Sequence, residues 1–433
     1  MRKLTLILLL LISLWSMAQT ATPPPAPPAP PAPPAPPALY GGEKQIQFAP
    51  ADGLGGPVAT NVSPGFECLA NSRSNHQSWN SDDNGRLRWV VSMSGNGCSV
   101  DLRADGIITF THAASAIAAL GAGGFFEAEE RTPQGRRRLE VKPAADNQLA
   151  YSYNIDGETR PFDEGGRAWL ASILLGIDRQ SGFAAQARVP ELMKRGGATA
   201  VLDEIGHMTG DYARGRYYAA LFAVGRLDSA TVQRVLERLP RQITSDYEMG
   251  RVLSTISNRY DLGDDNSRIA FLRATDRIKS DYEHGRVLTF LLQRPNLSRA
   301  TLLAALDSAS HINSDYERGR VLTNIAANRA LDEAVVDRYL DAIGTINSDY
   351  ERGRVYTAIL TGNKLTDKLL VKLLNSAESI HSDYELGRVL TVVATNYRLQ
   401  GDVRAAYLRA VAHIQSDYER KRVMAVAIQP DYV

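Results

Sequence analysis

An aspartate followed by a tyrosine, with an arginine four residues after the tyrosine, is the arrangement in this chain best placed to do chemistry. Asp246, Tyr247 and Arg251 form one set. The set returns as Asp281, Tyr282 and Arg286, as Asp315, Tyr316 and Arg320, as Asp349, Tyr350 and Arg354, and as Asp383, Tyr384 and Arg388. Residues four apart lie on one side of a helix. A ring and a guanidinium so placed can stack, and the arginine can pair with a glutamate or with the aspartate of an adjacent unit. Two uses follow: a clamp between neighbouring repeats, or a ligand-binding strip along one face. Identity at every copy favours the clamp, because a specific site normally breaks repeat symmetry.

Other reactive side chains are scattered. The histidines, His76, His112, His207, His284, His311, His381 and His413, occupy different repeat positions and have no metal-ligand spacing. No nucleophile elbow, phosphate-binding loop, dinucleotide fingerprint or Cys-x-x-Cys pair is present. Asp264-Asp265-Asn266 resembles a fragment of a calcium loop, but it lacks the spaced ligands and the closing glutamate, and reads as a helix cap. Cys68 and Cys98 are the only cysteines and form a disulfide candidate in an exported chain, with a pair of buried thiols as the alternative. Arg136-Arg137-Arg138, beside Arg131, reads as a solvated edge, with an anion-binding patch as the sharper alternative. Nothing here calls for a cofactor or a metal, and the chain is expected not to be an enzyme.

The elements that must position these groups follow from the period. The recurring aspartate falls at Asp211, Asp246, Asp281, Asp315, Asp349, Asp383 and Asp417, at intervals of 35, 35 and then 34 residues. Such spacing marks a stacked repeat architecture. Serines such as Ser245 and Ser348 precede the aspartate, and glutamates such as Glu248 and Glu351 follow three residues on, the pattern of a capping box. The first copy, Gly210-Asp211-Tyr212-Ala213, lacks both box residues. Apolar residues at helical spacing follow, with a glycine (Gly250, Gly285, Gly319, Gly353, Gly387) whose cost in a helix predicts a close neighbour. A leucine stands sixteen residues after each of the first six aspartates, and Asp228, Ser298, Asp332 or Thr366 then caps a second helix. Each unit is thus helix–turn–helix. The fold class is mainly α with a smaller β domain: a C-terminal α-solenoid preceded by an antiparallel β module. Residues that vary within the repeat, namely Met249, His284, Arg318, Arg352, Leu386 and Arg420, together with the loops near each leucine, are where a partner would be read.

The remaining organisation is expected as follows. Residues 1–18 read as a signal peptide, with Arg2 and Lys3 before an apolar run and Ser16-Met17-Ala18 at the cleavage point; retention as an anchor is the alternative and the only route to a membrane. Residues 19–39 are a Pro/Ala-rich linker, extended polyproline II at about 3.1 Å per residue. It serves as a spacer or passive arm, or alternatively as a ligand for a proline-binding groove. Residues 40–85 read as irregular, 86–162 as a small β domain with an Asp156-Gly157 hairpin turn, 163–209 as degenerate or capping helices, and 210–433 as six and a half repeats. A net charge of +1 with 22% charged residues gives no field for nucleic acid.

The Ser-Asp-Tyr-Glu-x-Gly-Arg-Val-Leu string, with Pro161-Phe162-Asp163 and Gly166-Arg167-Ala168-Trp169-Leu170 upstream, resembles the extracytoplasmic helical-repeat region attached in some bacteria to sensor-transducer peptidases of the BlaR type. The resemblance covers roughly residues 139 to 433, in a HEAT-like plan. It implies a sensing or partner-binding role on the periplasmic or extracellular face of the envelope. No His-Glu-x-x-His string is present, so the peptidase half has no counterpart. The expected function is a non-enzymatic exported protein whose repeats bind a protein partner, with a cell-wall component as a second class of ligand. The alternatives are an envelope-stress or antibiotic-signal regulator, which follows from the resemblance alone, and a hydrolase with its site in the β domain.

Overall fold

The structure, a computed structural model, describes residues 46–49, 59–69, 74–81, 85–260, 262–327 and 331–427. The chain divides at Pro36/Pro37 into two units, and all described residues belong to the second, Pro37–Val433. The segments read as a signal peptide and a Pro/Ala-rich linker lie outside the described residues.

The protein is an antiparallel β module fused to a helical-repeat array, as the sequence pattern predicts. The module's strands are β1 (Gln47–Phe48), β2 (Ser74–Ser81), β3 (Leu87–Gly95), β4 (Cys98–Gly106), β5 (Ile108–Phe110), β6 (Ile117–Leu120), β7 (Phe125–Thr132), β8 (Gly135–Pro143), β9 (Leu149–Ile155) and β10 (Glu158–Arg160). Seven form one sheet in the order β10-β9-β8-β7-β4-β3-β2, and β1, β5 and β6 form a smaller one. Two hairpins close through two-residue turns whose central residues both have positive φ: Asn96-Gly97 between β3 and β4, and Asp156-Gly157 between β9 and β10. That backbone matches the right-handed twist of the flanking strands.

Part of the stretch read as irregular is ordered. It supplies β2 and a short helix α1 (Pro64–Cys68). β2 reads Ser-Asn-His-Gln-Ser-Trp-Asn-Ser and has almost no apolar alternation. It is an edge strand held by its backbone ladder to β3, so its side chains need not form a buried stripe. The Cys68–Cys98 disulfide ties the end of α1 to the start of β4.

The first long helix, α2 (Glu164–Ser181), differs from the expectation for 163–209. Its stripe of Trp169, Leu170, Ile173, Leu174 and Ile177 lies in the core of the β module with Trp89, Phe110 and Phe126. Asp163 caps it by accepting from the Gly166 amide. Gly176 is required where Phe66 of α1 crosses, because a Cβ there would strike the ring. α2 therefore completes the module instead of beginning the array. The next helix, α3 (Ala185–Gly206), kinks at Gly196 and Gly197, where Gly197 has φ +63°, and packs into the array's core through Val189, Val201 and Ile205.

Six helix pairs and one further helix follow: α4 (Asp211–Val224), α5 (Ser229–Gln242), α6 (Asp246–Arg259), α7 (Asp265–Thr275), α8 (Asp281–Leu292), α9 (Arg299–Ser310), α10 (Asp315–Ala327), α11 (Glu333–Gly344), α12 (Asp349–Gly362), α13 (Asp367–Ala377), α14 (Asp383–Asn396), α15 (Gly401–Ala412) and α16 (Asp417–Ala427). First helices of successive pairs pack on one another in one layer, and second helices in another. A continuous apolar core runs between the layers. The closing isoleucines Ile243, Ile278, Ile312, Ile346, Ile380 and Ile414 are all buried in it. The second helices start where predicted: Asp228, Ser298, Asp332 and Thr366 accept from the amides of Thr231, Thr301, Val335 and Leu369. Asp264 likewise caps α7 through the Ser267 amide, so the Asp264-Asp265-Asn266 run is a helix start.

Candidate interaction surface along the repeats

The serine half of each capping box forms. Ser245, Ser280, Ser314, Ser348, Ser382 and Ser416 accept from the glutamate amide three residues on, at 3.3–3.4 Å. The reciprocal half does not. The amide of each capping serine is taken instead by the aspartate of the preceding repeat. Asp246 accepts from Lys279 and Ser280, at 3.1 and 2.8 Å. Asp281 accepts from Asn313 and Ser314, Asp315 from Asn347 and Ser348, Asp349 from His381 and Ser382, and Asp383 from Gln415 and Ser416. The recurring aspartate is thus a staple between repeats. In the first copy, Asp211 takes the amides of Thr244 and Ser245 and the Thr244 hydroxyl. Burial works to raise its carboxyl, but these hydrogen bonds and Arg214 win and hold it below the usual range.

The glutamate, released from the box, turns to the arginine three residues on. Glu248–Arg251, Glu317–Arg320, Glu351–Arg354 and Glu385–Arg388 pair at 3.1, 2.7, 2.6 and 2.9 Å, and Glu283–Arg286 at 2.5 Å. Each of these pairs from the third copy on lies against the glycine of the preceding helix. A Cβ on Gly319 would sit 2.5 Å from Glu351 Oε2 and 3.1 Å from Arg354 Nη2. Gly250, Gly285, Gly353 and Gly387 face Glu283, Glu317, Glu385 and Glu419 in the same way. Burial pushes the carboxyls of Glu317, Glu351 and Glu385 up, against the pull of the paired arginine.

The aromatic partner also lies one repeat away in the later copies. Arg320 stands over Tyr282, Arg354 over Tyr316, Arg388 over Tyr350 and Arg422 over Tyr384, with 5.5–5.8 Å to the ring centre. Only the early copies show the expected contact within one helix, Arg251 over Tyr247 and Arg216 over Tyr212. Arg286 stands over Phe290. Burial raises the Tyr247 hydroxyl. The five aspartates, and the tyrosines and arginines of the later copies, thus form a clamp whose register runs from one repeat to the next, while Arg251 stands over Tyr247 and Arg286 over Phe290 of their own helices.

The variable residues after the glutamate mostly pack within the array. Met249, His284, Arg318 and Leu386 are buried. Arg318 donates to the Ile312 carbonyl at 2.8 Å and to the Thr345 carbonyl at 2.7 Å. Arg352 reaches the Ile346 and Ser379 carbonyls, and Arg420 the Ile414 carbonyl. His284 Nε2 lies 3.0 Å from Ser308 Oγ, and burial lowers its imidazole, with Asp276 opposing. These positions lock each repeat's two helices and cap loops together. What sequence reasoning missed is the exposed residue of each cap loop, Thr244, Lys279, Asn313, Asn347, His381 and Gln415. These vary between copies while their backbone is pinned, and comparing the copies with one another would have found them.

In the β module, Arg136 and Arg138 lie within the sheet, not at its edge. They pair across strands with Glu129 and Glu127, and Arg131 also reaches Glu129, so these charges are already matched. Glu130 of β7 is a buried acid; it accepts from the Gly65 amide at 2.7 Å and from Trp169 Nε1 at 2.8 Å.

No protein-family model matches this chain, and no curated protein matches it. A solved structure described as "Computational Design of Self-Assembling Cyclic Protein Homooligomers" is similar over 59% of this chain and 91% of its own, at 11% identity and a TM-score of 0.12. A likeness of that size carries no argument.

A buried ionic network joins module to array. Asp178 of α2 accepts from the Ala184 amide at 2.8 Å and from the Tyr217 hydroxyl, and faces Arg188 at 3.4 Å. Arg179 grips Glu204 through two bonds of 2.9 and 3.0 Å. Burial pushes the Asp178 carboxyl up despite Arg188 and Tyr217. Every group in the network faces another, and it fixes α2, α3 and α4 as one block. Among the described residues no cluster of His, Cys, Asp and Glu could hold a metal ion, and no helix is long and apolar enough to cross a membrane.

Proposed function

We propose that this is an exported, non-enzymatic envelope protein whose helical-repeat array binds a protein partner. One observation carries the reading. The repeated Asp, Tyr, Glu and Arg side chains engage neighbouring repeats, so they build a stiff scaffold and not a row of reaction centres. A scaffold of this kind presents an extended surface at fixed spacing. The disulfide is compatible with an oxidising compartment and so supports export. The exposed cap-loop residues, Thr244 through Gln415, offer a polar edge whose backbone cannot shift.

The test is cross-linking in cells of the source organism from single photoreactive residues placed at Asn313, Asn347 and His381, with Glu158 of the module as control. Cross-links to one recurring protein from the array positions, absent from the control, are expected. Equal labelling from both sets, or none from the array, overturns the proposal.

A further inference from the structure

One repeat carries a titratable group where its neighbours carry a permanent cation. In three copies the residue after the glutamate is an arginine, and each binds the closing isoleucine carbonyl of its own cap loop: Arg318 that of Ile312, Arg352 that of Ile346 and Arg420 that of Ile414. Arg318 and Arg352 also donate to the carbonyls of Thr345 and Ser379, which ties the first helix of the pair to the end of the second. Met249 and Leu386 fill the same position with buried apolar side chains. His284 fills it on α8, in the third helix pair, and is 2% exposed.

His284 takes the arginine's place with fewer protons to give. One ring N–H bonds the Ile278 carbonyl, the counterpart of Ile312. Nε2 then lies 3.0 Å from Ser308 Oγ on α9 and 3.7 Å from Asp276 Oδ1 at the end of α7. Ser308 Oγ is also bonded to Asp276. A neutral imidazole has one N–H and a serine one hydroxyl proton, so Nε2 and Asp276 compete for the Ser308 proton. A proton on Nε2 ends the competition but puts a charge in a buried place, which costs free energy. The groups that face the ring divide. Asp276, and Asp281 on its own helix, favour the imidazolium; His311 at the end of α9 opposes it. Glu283 is held by Arg286 where α8 meets Gly250 of α6, and Arg318 of α10 by the Ile312 and Thr345 carbonyls. Burial outweighs Asp276, and the imidazole is lowered.

We infer that His284 is a proton-operated latch, which holds α7, α8 and α9 together while it is neutral and releases them when it takes a proton. The release is a local opening: a state in which the imidazole reaches water binds the proton more readily than the closed one. The closed state's proton affinity lies below the ordinary 6.5. The latch is therefore at full strength above pH 6.5 and weakens as the pH falls from there toward the lowered value. Arginine keeps its charge throughout this range, and methionine and leucine have none to gain. At this position the response to acid thus belongs to one repeat, and the third helix pair becomes an acid-sensitive joint in an otherwise stapled array.

The test is hydrogen–deuterium exchange of the full oxidised chain from about pH 7 to about pH 5.5. Mass spectrometry reads it as protection factors for residues 299–312, which end α8's partner helix, and for residues 367–380, which stand in the same relation to Arg352. Protection of 299–312 should fall by up to about tenfold per pH unit below 6.5, while 367–380 shows no matching fall. His284→Arg and His284→Met each install a residue that another copy carries at this position, so both should fold, and both should abolish the fall. Asp276→Asn removes an acid that favours the imidazolium in the closed state, and should deepen it. An equal fall in both segments, no fall in the wild type, a fall that persists in either His284 variant, or a shallower fall in Asp276→Asn overturns the inference.

Discussion

Replacing Asp349 by alanine tests the inter-repeat staple directly. Its Oδ2 accepts from His381 N at 3.1 Å and from Ser382 N at 2.8 Å, so the loss falls on the interface between α12 and α14. A hydrogen bond to a charged group contributes about 1.5–3 kcal/mol. Both donors share one oxygen and the side chain is 21% exposed, which places the expected loss at about 2–3 kcal/mol in total. Part of any aspartate-to-alanine cost is local, because an acid in the first turn interacts with the helix dipole for about 0.3–1 kcal/mol. Asp417 supplies the control. It has the same sequence context and helix position, but it is 82% exposed and bonds no cap loop among the described residues. Asp417→Ala should stay within about 1 kcal/mol of wild type. Asp349→Asn, which keeps an acceptor but loses the charge, should fall between. Urea unfolding of the full oxidised chain, followed by far-UV circular dichroism, measures all three. Equal losses at Asp349 and Asp417 would refute the staple and assign the aspartate to its own helix.

Three further outcomes are expected. Gly319→Ala should destabilise by about 1–2 kcal/mol despite alanine's better helix propensity, because Glu351 can yield only by leaving Arg354. Gly344→Ala, with nothing near its Cβ, should be neutral or gain up to about 1 kcal/mol, and paired thermal melts compare the two. Glu317, Glu351 and Glu385 have carboxyls raised above the ordinary 4.5 by burial. Their protonated forms are favoured in the fold, so their contribution is present below pH 4.5 and lost as the pH rises through the raised values. Calorimetry from pH 7 down to 4.5 should therefore show these three groups adding stability, and the triple glutamine variant should flatten that slope. Cys68→Ser with Cys98→Ser should cost about 2–4 kcal/mol and release α1 from β4, measurable as a lower melting point and faster proteolysis near Pro64.

The period carried most of the array into view. Spacing alone located the serine caps and the caps of the second helices, since each is a local property of one repeat, and the helix-interior glycines announced a close neighbour without naming it. Which repeat supplies each partner was not legible. Asp349 can reach its own helix or the next cap loop with the same sequence, and only the stacking geometry decides. The same limit explains Arg318 and Leu386, which vary like surface residues but fill an interface whose shape differs from copy to copy. β2 escaped because its edge strand has almost no apolar alternation. α2 was assigned to the array because a helical stripe does not say which core it enters.

The aspartate staple gives the array an arrow. Each cap loop depends on an acceptor that lies earlier in the chain, and none of these bonds runs the other way. Shortening the protein from its C-terminal side, one helix pair at a time, leaves every surviving loop with its carboxylate. Removing repeats from the N-terminal side orphans two amide donors at each new beginning. A chain made from its N-terminus meets these bonds in the same order, so each repeat emerges onto a surface already prepared to receive it.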